Sequence, residues 1–157
     1  MPNQTTTRIS PEDIQRQNDL CRQIAQLQHS LDTPPLALVQ TYGCQQNEAD
    51  SERLRGYLAQ MGFGFTQDPE QARIVVINTC AIRDHAERKV LGNVGALVHT
   101  KRSHPDQIIC LCGCMAQEPE VAEKIKKSFR HVDLVFGPQA LWRFPEFVHT
   151  LLTRRGR

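Results

Sequence analysis

Short apolar runs along the chain are followed by longer stretches whose apolar residues recur at helical spacing. The runs lie at residues 36–42, 74–77, 107–111 and 132–136, and their β-branched residues predict four strands. Between and after them, apolar residues stand three or four positions apart, which indicates amphipathic helices. The predicted inner faces of these helices comprise Leu54, Tyr57, Leu58 and Met61; Ala86, Val90, Val94, Leu97 and Val98; Val121, Ala122, Ile125 and Phe129; and Leu141, Phe144, Val148, Leu151 and Leu152.

This alternation of strands and helices predicts an α/β protein with a parallel sheet that is covered by helices on both faces. We therefore expect a doubly wound, mainly parallel sheet of four to five strands, which is the flavodoxin-like arrangement. In the common strand order 2-1-3-4, the first three predicted strands would be immediate neighbours. The last helical stretch contains Pro145, which we expect to break it.

One further helix is predicted before the sheet. The sequence Ser-Pro-Glu-Asp at residues 10–13 provides a cap, a first-turn proline and an acidic third position, and two prolines at residues 34–35 would end the stretch. We divide the chain into an N-terminal extension (1–35), a sheet domain (36–153) and a basic linker stub (154–157). The extension contains Cys21, and the apolar face of its helix comprises Leu20, Ile24, Leu27 and Leu31.

The composition says less about the fold than about where the protein is located and what it binds. With 157 residues, 39% hydrophobic and 23% charged, the chain resembles one globular domain. No run is apolar enough for a signal peptide or a membrane span, so we expect a cytoplasmic location and no membrane partner. The net charge of +2 neither requires nor excludes a nucleic acid. Basic residues cluster in one predicted helix, where we favour a solvated face over phosphate contacts: Lys124, Lys126, Lys127 and Arg130.

Three of the six cysteines occupy the same kind of position, just after a predicted strand. Cys44, Cys80 and Cys114 each stand where a strand passes into a helix, and a glycine precedes two of them. In parallel sheets these strand ends line the ligand crevice, and neighbouring strands lie about 4.8 Å apart. Three sulfur atoms would therefore meet at one edge of the sheet. Without a secretory signal, metal binding, redox chemistry or burial explains these thiols better than disulfides do.

Thiolates select zinc, copper(I) or iron–sulfur clusters, and the spacing leaves several interpretations open. Structural zinc needs four ligands and usually a C-x-x-C pair, which these three cysteines do not form. A 4Fe–4S cluster with three cysteine ligands and one open iron fits at least as well. The plainer alternative is three small buried residues. Cys110 and Cys112 share one strand face, and we favour core thiols there over a metal trio with Cys114.

Four motifs resemble the N-terminal domain of the radical-SAM methylthiotransferases. They are TYGCQQNEADSERL from residue 41, NTCAIRDHAERKVLGNVGAL from residue 78, GCMAQE from residue 113 and VDLVFGP from residue 132. The similarity extends over roughly residues 36–152. The residues after the first cysteine and the IRDHAERK sequence are most similar to the bacterial tRNA branch. That branch adds a methylthio group to isopentenyl-adenosine beside the anticodon.

The resemblance implies that Cys44, Cys80 and Cys114 hold an auxiliary 4Fe–4S cluster with one open iron. It also implies tRNA as substrate, a sulfur donor or iron–sulfur assembly proteins as partners, and a monomer. The family cleaves S-adenosylmethionine with a second 4Fe–4S cluster, which is held by a C-x-x-x-C-x-x-C sequence. That sequence and the family's RNA-binding module do not occur here, so we interpret the chain as a fragment or lone first domain that is inactive by itself.

The resemblance further places five polar residues near the cluster or substrate: Asn47, Asn78, Arg83, Glu87 and Lys89. For the charged ones, a solvated helix face is an equal alternative. Three other functions remain compatible with the sequence. A non-enzymatic flavodoxin-like domain would bind phosphate or flavin at the same edge, a zinc-stabilised interaction module would use the same thiols, and a ribosomal-protein methylthiotransferase would share this N-terminal domain.

Overall fold

A computed structural model of the chain describes residues 9–43, 45–80 and 84–155, with side chains for all of these except 45, 46, 84–87 and 155. Within these residues the strands are β1 (Leu36–Thr41), β2 (Gly64–Phe65), β3 (Ile74–Thr79), β4 (Ile108–Gly113) and β5 (Leu134–Phe136). They form one parallel sheet in the order β2-β1-β3-β4-β5. Every residue of β3 and β4 is buried, because helices cover both faces of the sheet.

The predicted parallel α/β fold is confirmed, but the strand order differs from the expected one. The four predicted strands lie in chain order, β1-β3-β4-β5, and β2 is added on the outer side of β1. Strand β2 was not predicted, because the two residues Gly64 and Phe65 give no apolar run. As a result β3, and not β1, lies between the other two strands that precede a cysteine.

Within the described residues, five α-helices cover the sheet: α1 (Pro11–His29), α2 (Gln45–Gln60), α3 (Asp84–Ser103), α4 (Pro119–Ser128) and α5 (Phe144–Arg155). Helices α1, α2 and α5 pack on one face, where Ile24, Leu58 and Phe144 have no exposed surface. Helices α3 and α4 pack on the other face, through Val94 and Ile125 among others. None of these helices is both long and apolar enough to cross a membrane.

Two predictions about helix ends are confirmed. Ser10 caps α1, because its hydroxyl accepts a hydrogen bond from the Asp13 amide at 3.1 Å and the Asp13 carboxylate accepts one from the Ser10 amide. The last helical stretch is broken as expected near Pro145. A 3-10 helix, Pro138–Arg143, ends there and α5 begins one residue before the proline, whose missing amide hydrogen is tolerated in a first turn.

Helix α1 packs on the sheet domain, although its apolar face was predicted too long. The residues of α1 that are buried are Gln17, Leu20, Cys21 and Ile24. Leu27 is 55% exposed, and Leu31, which follows the end of the helix, is 47% exposed. The extension therefore shares a hydrophobic core with α2 and α5 through Cys21 and Ile24, in the middle of its helix.

The Glu146 carboxylate joins α1 to α5. It accepts hydrogen bonds from Arg143 at 2.7 Å and from Gln17 at 3.4 Å, and Arg16 lies 3.3 Å away. The Gln17 side chain completes the contact by accepting a hydrogen bond from the Glu146 amide at 3.2 Å. The hydrogen bond from Arg143, above all, holds the pKa of Glu146 below its ordinary value of 4.5.

Replacing Glu146 by Gln is expected to reduce the loss of stability in acid. Because the pKa of Glu146 is lowered by folding, its contribution is present above about pH 4.5 and is lost as the pH falls through the folded-state value. At neutral pH we expect a cost of about 1 kcal/mol or less, since the ion pairs are partly exposed. Urea denaturation at neutral pH and at a series of pH values below 4.5 measures both effects. The control is Glu123→Gln, which removes an exposed pair with Lys127 on α4, and an equal change in both variants would contradict the prediction.

Candidate metal centre

Cys80 and Cys114 stand at the carboxyl ends of neighbouring central strands. Cys80 follows Thr79, the last residue of β3, and Cys114 follows Gly113, the last residue of β4. Thr79 and Gly113 are paired in the parallel register, and the Cys114 amide donates a hydrogen bond to the Thr79 carbonyl oxygen at 3.2 Å. Both cysteines are half-buried. The structure thus brings two of the three predicted ligands to one partly accessible edge of the sheet.

Cys44 lies outside the described residues, but its neighbour Gly43 approaches Cys80 closely. A β-carbon placed on Gly43 would lie 2.6 Å from the Cys80 sulfur atom, far inside van der Waals contact. Gly43 also has a φ of +134°, which side chains disfavour. The chain therefore passes the Cys80 sulfur immediately before it reaches position 44.

Next to these strand ends lies a buried polar network, here called the polar clamp, formed by Asn47, Ser51, Asn78 and Thr79. All four residues are at most 6% exposed. Asn47 donates from Nδ2 to the Thr79 carbonyl oxygen at 2.7 Å, and Asn78 donates from Nδ2 to the Asn47 carbonyl oxygen at 2.9 Å. Asn78 Nδ2 also donates to Ser51 Oγ at 3.1 Å, and Ser51 Oγ lies 2.7 Å from Thr41 Oγ1. The polar clamp joins the first turns of α2 to the ends of β1 and β3.

The Thr79 carbonyl oxygen is the point at which three chain segments meet. It accepts hydrogen bonds from the Asn47 side chain and from the Cys114 amide. A β-carbon placed on Gly113 would collide with the same oxygen at 2.0 Å, and Gly113 has a φ of +100°. Thr79 Oγ1 ties β3 to β4 again by donating to the Cys112 carbonyl oxygen at 2.8 Å. Thr79, the residue before Cys80, therefore ties the end of β3 to the end of β4 and to α2.

The other three cysteines are core residues. Cys21, Cys110 and Cys112 have no exposed surface, and Cys112 Sγ donates to Asn78 Oδ1 at 3.8 Å. Burial raises the pKa of Cys21 to about 11 and raises the pKa of Cys112 far above its usual range, so both remain thiols at neutral pH. In the described part of the chain, no three His, Cys, Asp or Glu side chains are placed to hold one metal ion. The alternative trio of Cys110, Cys112 and Cys114 is therefore not formed.

The five predicted polar residues fall into different settings. Asn47 and Asn78 are both in the polar clamp beside the strand ends. Lys89 is exposed on α3. Arg83 lies outside the described residues, and so does the side chain of Glu87. The structure thus brings two of the five to the sheet edge and leaves one on a solvated helix face.

Ser51 and Thr79 were not among the predicted site residues. Ser51 is one turn after Asn47 on α2, and it shares the inner face of that helix with Leu54 and Leu58. A serine on an otherwise apolar inner face indicates a buried hydrogen bond, because buried hydroxyl groups are rarely without a partner. Thr79 gives a weaker indication, since threonine is common in strands for its shape alone.

The residues present fit a metal–thiolate group. Two cysteines occupy adjacent strand ends, and a third follows the glycine that faces the Cys80 sulfur. The potential ligands are all sulfur, which suits soft metals and iron–sulfur clusters. Helices α2 and α3 begin within a few residues of Cys44 and Cys80, and helix N-termini favour an anionic centre.

This fold defines a flavodoxin-like α/β domain, in which Cys80 and Cys114 directly follow the carboxyl ends of two neighbouring central strands. The chain belongs to the family described as Uncharacterized protein family UPF0004, whose model matches residues 37–137. The matched region contains Cys44, Cys80 and Cys114, together with the whole polar clamp.

The chain is also similar to curated proteins named tRNA-2-methylthio-N(6)-dimethylallyladenosine synthase. It is 43% identical to that of Alkaliphilus oremlandii over 148 residues, which cover 94% of this chain and 31% of the relative. Identity to the Acetivibrio thermocellus protein is 42%, with 92% and 31% covered. For Clostridioides difficile it is 46%, with 72% and 24% covered. The chain spans less than a third of the length of these relatives. Their names confirm the resemblance to methylthiotransferases.

Proposed function

We propose that this chain is the auxiliary 4Fe–4S cluster-binding domain of a tRNA methylthiotransferase, with Cys44, Cys80 and Cys114 as the cluster ligands. The main support for the proposal is that the strand ends next to these cysteines lie together at one edge of the sheet. Cys114 is hydrogen-bonded to the residue before Cys80, and Gly43 lies against the Cys80 sulfur. The names of the relatives favour tRNA over a ribosomal protein as the substrate.

The complete enzyme would insert a methylthio group into isopentenyl-adenosine next to the anticodon of tRNA. S-adenosylmethionine and the second 4Fe–4S cluster would be bound by other parts of that enzyme, because no C-x-x-x-C-x-x-C sequence occurs in these 157 residues. By itself this chain would bind one cluster and would not catalyse methylthiolation. We expect a cytoplasmic monomer that meets a sulfur donor or iron–sulfur assembly proteins.

The bound cluster would supply an iron with an open position, where sulfur for the reaction can be held. The chain's own residues would hold and orient it. Three thiolates serve as ligands, and Asn47 and Asn78 fix the strand ends that carry them. We further propose that the polar side chains of Arg83, Glu87 and Lys89 contact the cluster or the tRNA.

Anaerobic reconstitution of the purified chain with ferrous iron and sulfide is expected to yield a brown protein with about four irons per chain. Colorimetric iron and sulfide analysis and visible absorbance measure the product. One zinc and no iron after the same anaerobic work would replace the proposal with a zinc-stabilised interaction module. Flavin absorbance in the purified protein, without iron, would instead indicate a flavodoxin-like binding domain.

A further inference from the structure

We propose that Ser51 and Asn78 are positioning residues for the cluster. They set the distance between the end of β1, which precedes Cys44 in the chain, and the strand ends that precede Cys80 and Cys114. This inference rests on the proposed function, because it assigns a role in holding the same cluster. A positioning role differs from direct contact with the cluster or the substrate, because both side chains form their hydrogen bonds within the protein. Neither residue would touch the cluster.

The Asn78 side chain on β3 contacts both α2 and β4. Its Nδ2 donates to the Asn47 carbonyl oxygen at 2.9 Å and to Ser51 Oγ at 3.1 Å, both on α2. Its Oδ1 accepts from Cys112 Sγ on β4 at 3.8 Å. The amide is 1% exposed, so both of its hydrogens and its oxygen are used within the protein. Asn78 therefore links the three segments whose ends carry the proposed ligands.

Ser51 determines where α2 sits relative to β1 and β3. It has no exposed surface, and its hydroxyl lies between Asn78 Nδ2 at 3.1 Å and Thr41 Oγ1 at 2.7 Å. Thr41 is the last residue of β1, three positions before Cys44. The serine hydroxyl thus ties the end of β1 to the end of β3 across the helix that follows Cys44. Removing it would leave the backbone of each element intact while loosening their relative position.

A matched pair of side chains lies at the opposite edge of the sheet. Thr100 on α3 is 9% exposed, and its hydroxyl donates to Oε1 of the fully buried Gln107 at 2.8 Å. Gln107 in turn donates to the Pro69 and Ala72 carbonyl oxygens at 2.8 and 2.9 Å. This pair is also a buried hydroxyl bonded to a buried side-chain amide, although the Thr100 hydroxyl donates whereas the Ser51 hydroxyl accepts from Asn78. It precedes β4, at the end remote from the cysteines.

Comparing Ser51→Ala with Thr100→Val tests the inference, because each variant deletes one buried hydroxyl bonded to a side-chain amide. We expect Ser51→Ala to lose its iron at about one tenth of the EDTA concentration that wild type withstands, because losing a supporting hydrogen bond weakens metal sites by about this factor. The electron paramagnetic resonance spectrum of its reduced cluster should also change in shape. Thr100→Val should keep the wild-type iron retention and spectrum, although its melting temperature falls by a similar amount.

Thr41→Val provides a milder second variant, since Ser51 then keeps its bond to Asn78. It should fold and show a smaller loss of iron retention than Ser51→Ala. Equal iron loss in Ser51→Ala and Thr100→Val, or a wild-type spectrum in Ser51→Ala, would overturn the positioning role while the proposed function stands. Failure of the wild-type chain to bind iron would overturn the proposed function, and the positioning role with it.

Discussion

Replacing Cys44, Cys80 and Cys114 together by alanine is expected to lower the iron content after anaerobic reconstitution from about four atoms per chain to background. Alanine offers no donor atom, and within the described residues no other group of three His, Cys, Asp or Glu side chains could hold an ion in their place. The visible absorbance of the cluster should disappear with the iron. Colorimetric iron and sulfide analysis of wild type and variant, reconstituted side by side, measures the effect.

The chain provides its own control for the loss of thiols. The variant Cys21→Ala/Cys110→Ala removes two cysteines that are core residues without exposed surface, and it keeps Cys112 because that sulfur donates to Asn78 Oδ1. It should bind as much iron as wild type, while losing some stability through the small cavities it creates. If the Cys44/Cys80/Cys114 variant instead binds as much iron as wild type, the ligand assignment is wrong. Thermal unfolding of both variants shows whether a loss of iron reflects a loss of fold.

The sheet could be predicted from the sequence largely because its central strands are buried on both faces. The whole of β3 is buried, and its run Ile74–Thr79 is almost entirely apolar or β-branched. An edge strand of two residues, Gly64–Phe65, gives no such run, and only its pairing with β1 defines it. Because β2 was missed, the sequence predicted β1 instead of β3 as the middle one of the three strands that precede a cysteine. A strand order can be inferred only when every strand has been found.

The overestimated face of α1 has a similar cause. Leu27 continues the helical spacing of Leu20 and Ile24, so periodicity assigns all three to one buried face. Periodicity states which residues share a face, but it does not state how far the neighbouring elements extend beside the helix. Leu27 is exposed because the core shared with α2 and α5 ends before it.

At the site, the sequence could predict positions but not contacts. Each proposed ligand follows a strand, and parallel strands end at a common edge, so their grouping follows from local patterns. The hydrogen bonds of the polar clamp join residues 27 to 32 positions apart. They depend on how α2 lies across the end of β3. The family resemblance alone therefore indicated Asn47 and Asn78. The preferences of single residues did not indicate Thr79.

The close approach at the end of β4 implies a large effect for Gly113→Ala, which we expect to lower the free energy of unfolding by about 3–5 kcal/mol. The φ of +100° alone costs about 1–3 kcal/mol for a residue with a side chain. The added β-carbon would also lie 2.0 Å from the Thr79 carbonyl oxygen, which is backbone and has no rotamer to change. Relief requires β4 to move away from β3, and this breaks the Cys114–Thr79 hydrogen bond.

Gly92→Ala is the matched control for this substitution. Gly92 is an exposed residue of α3, and a β-carbon there would meet nothing within 4 Å. The control should be stabilised by up to about 1 kcal/mol, because alanine is the better helix former. Urea denaturation of both variants measures the difference, and Gly113→Ala should also lose iron because Cys114 follows the disturbed residue. A Gly113→Ala variant as stable as wild type would contradict this prediction, because it would show that the ends of β3 and β4 can separate at no cost. The close packing of Thr79 against Gly113 would then not be the contact that positions Cys114 beside Cys80.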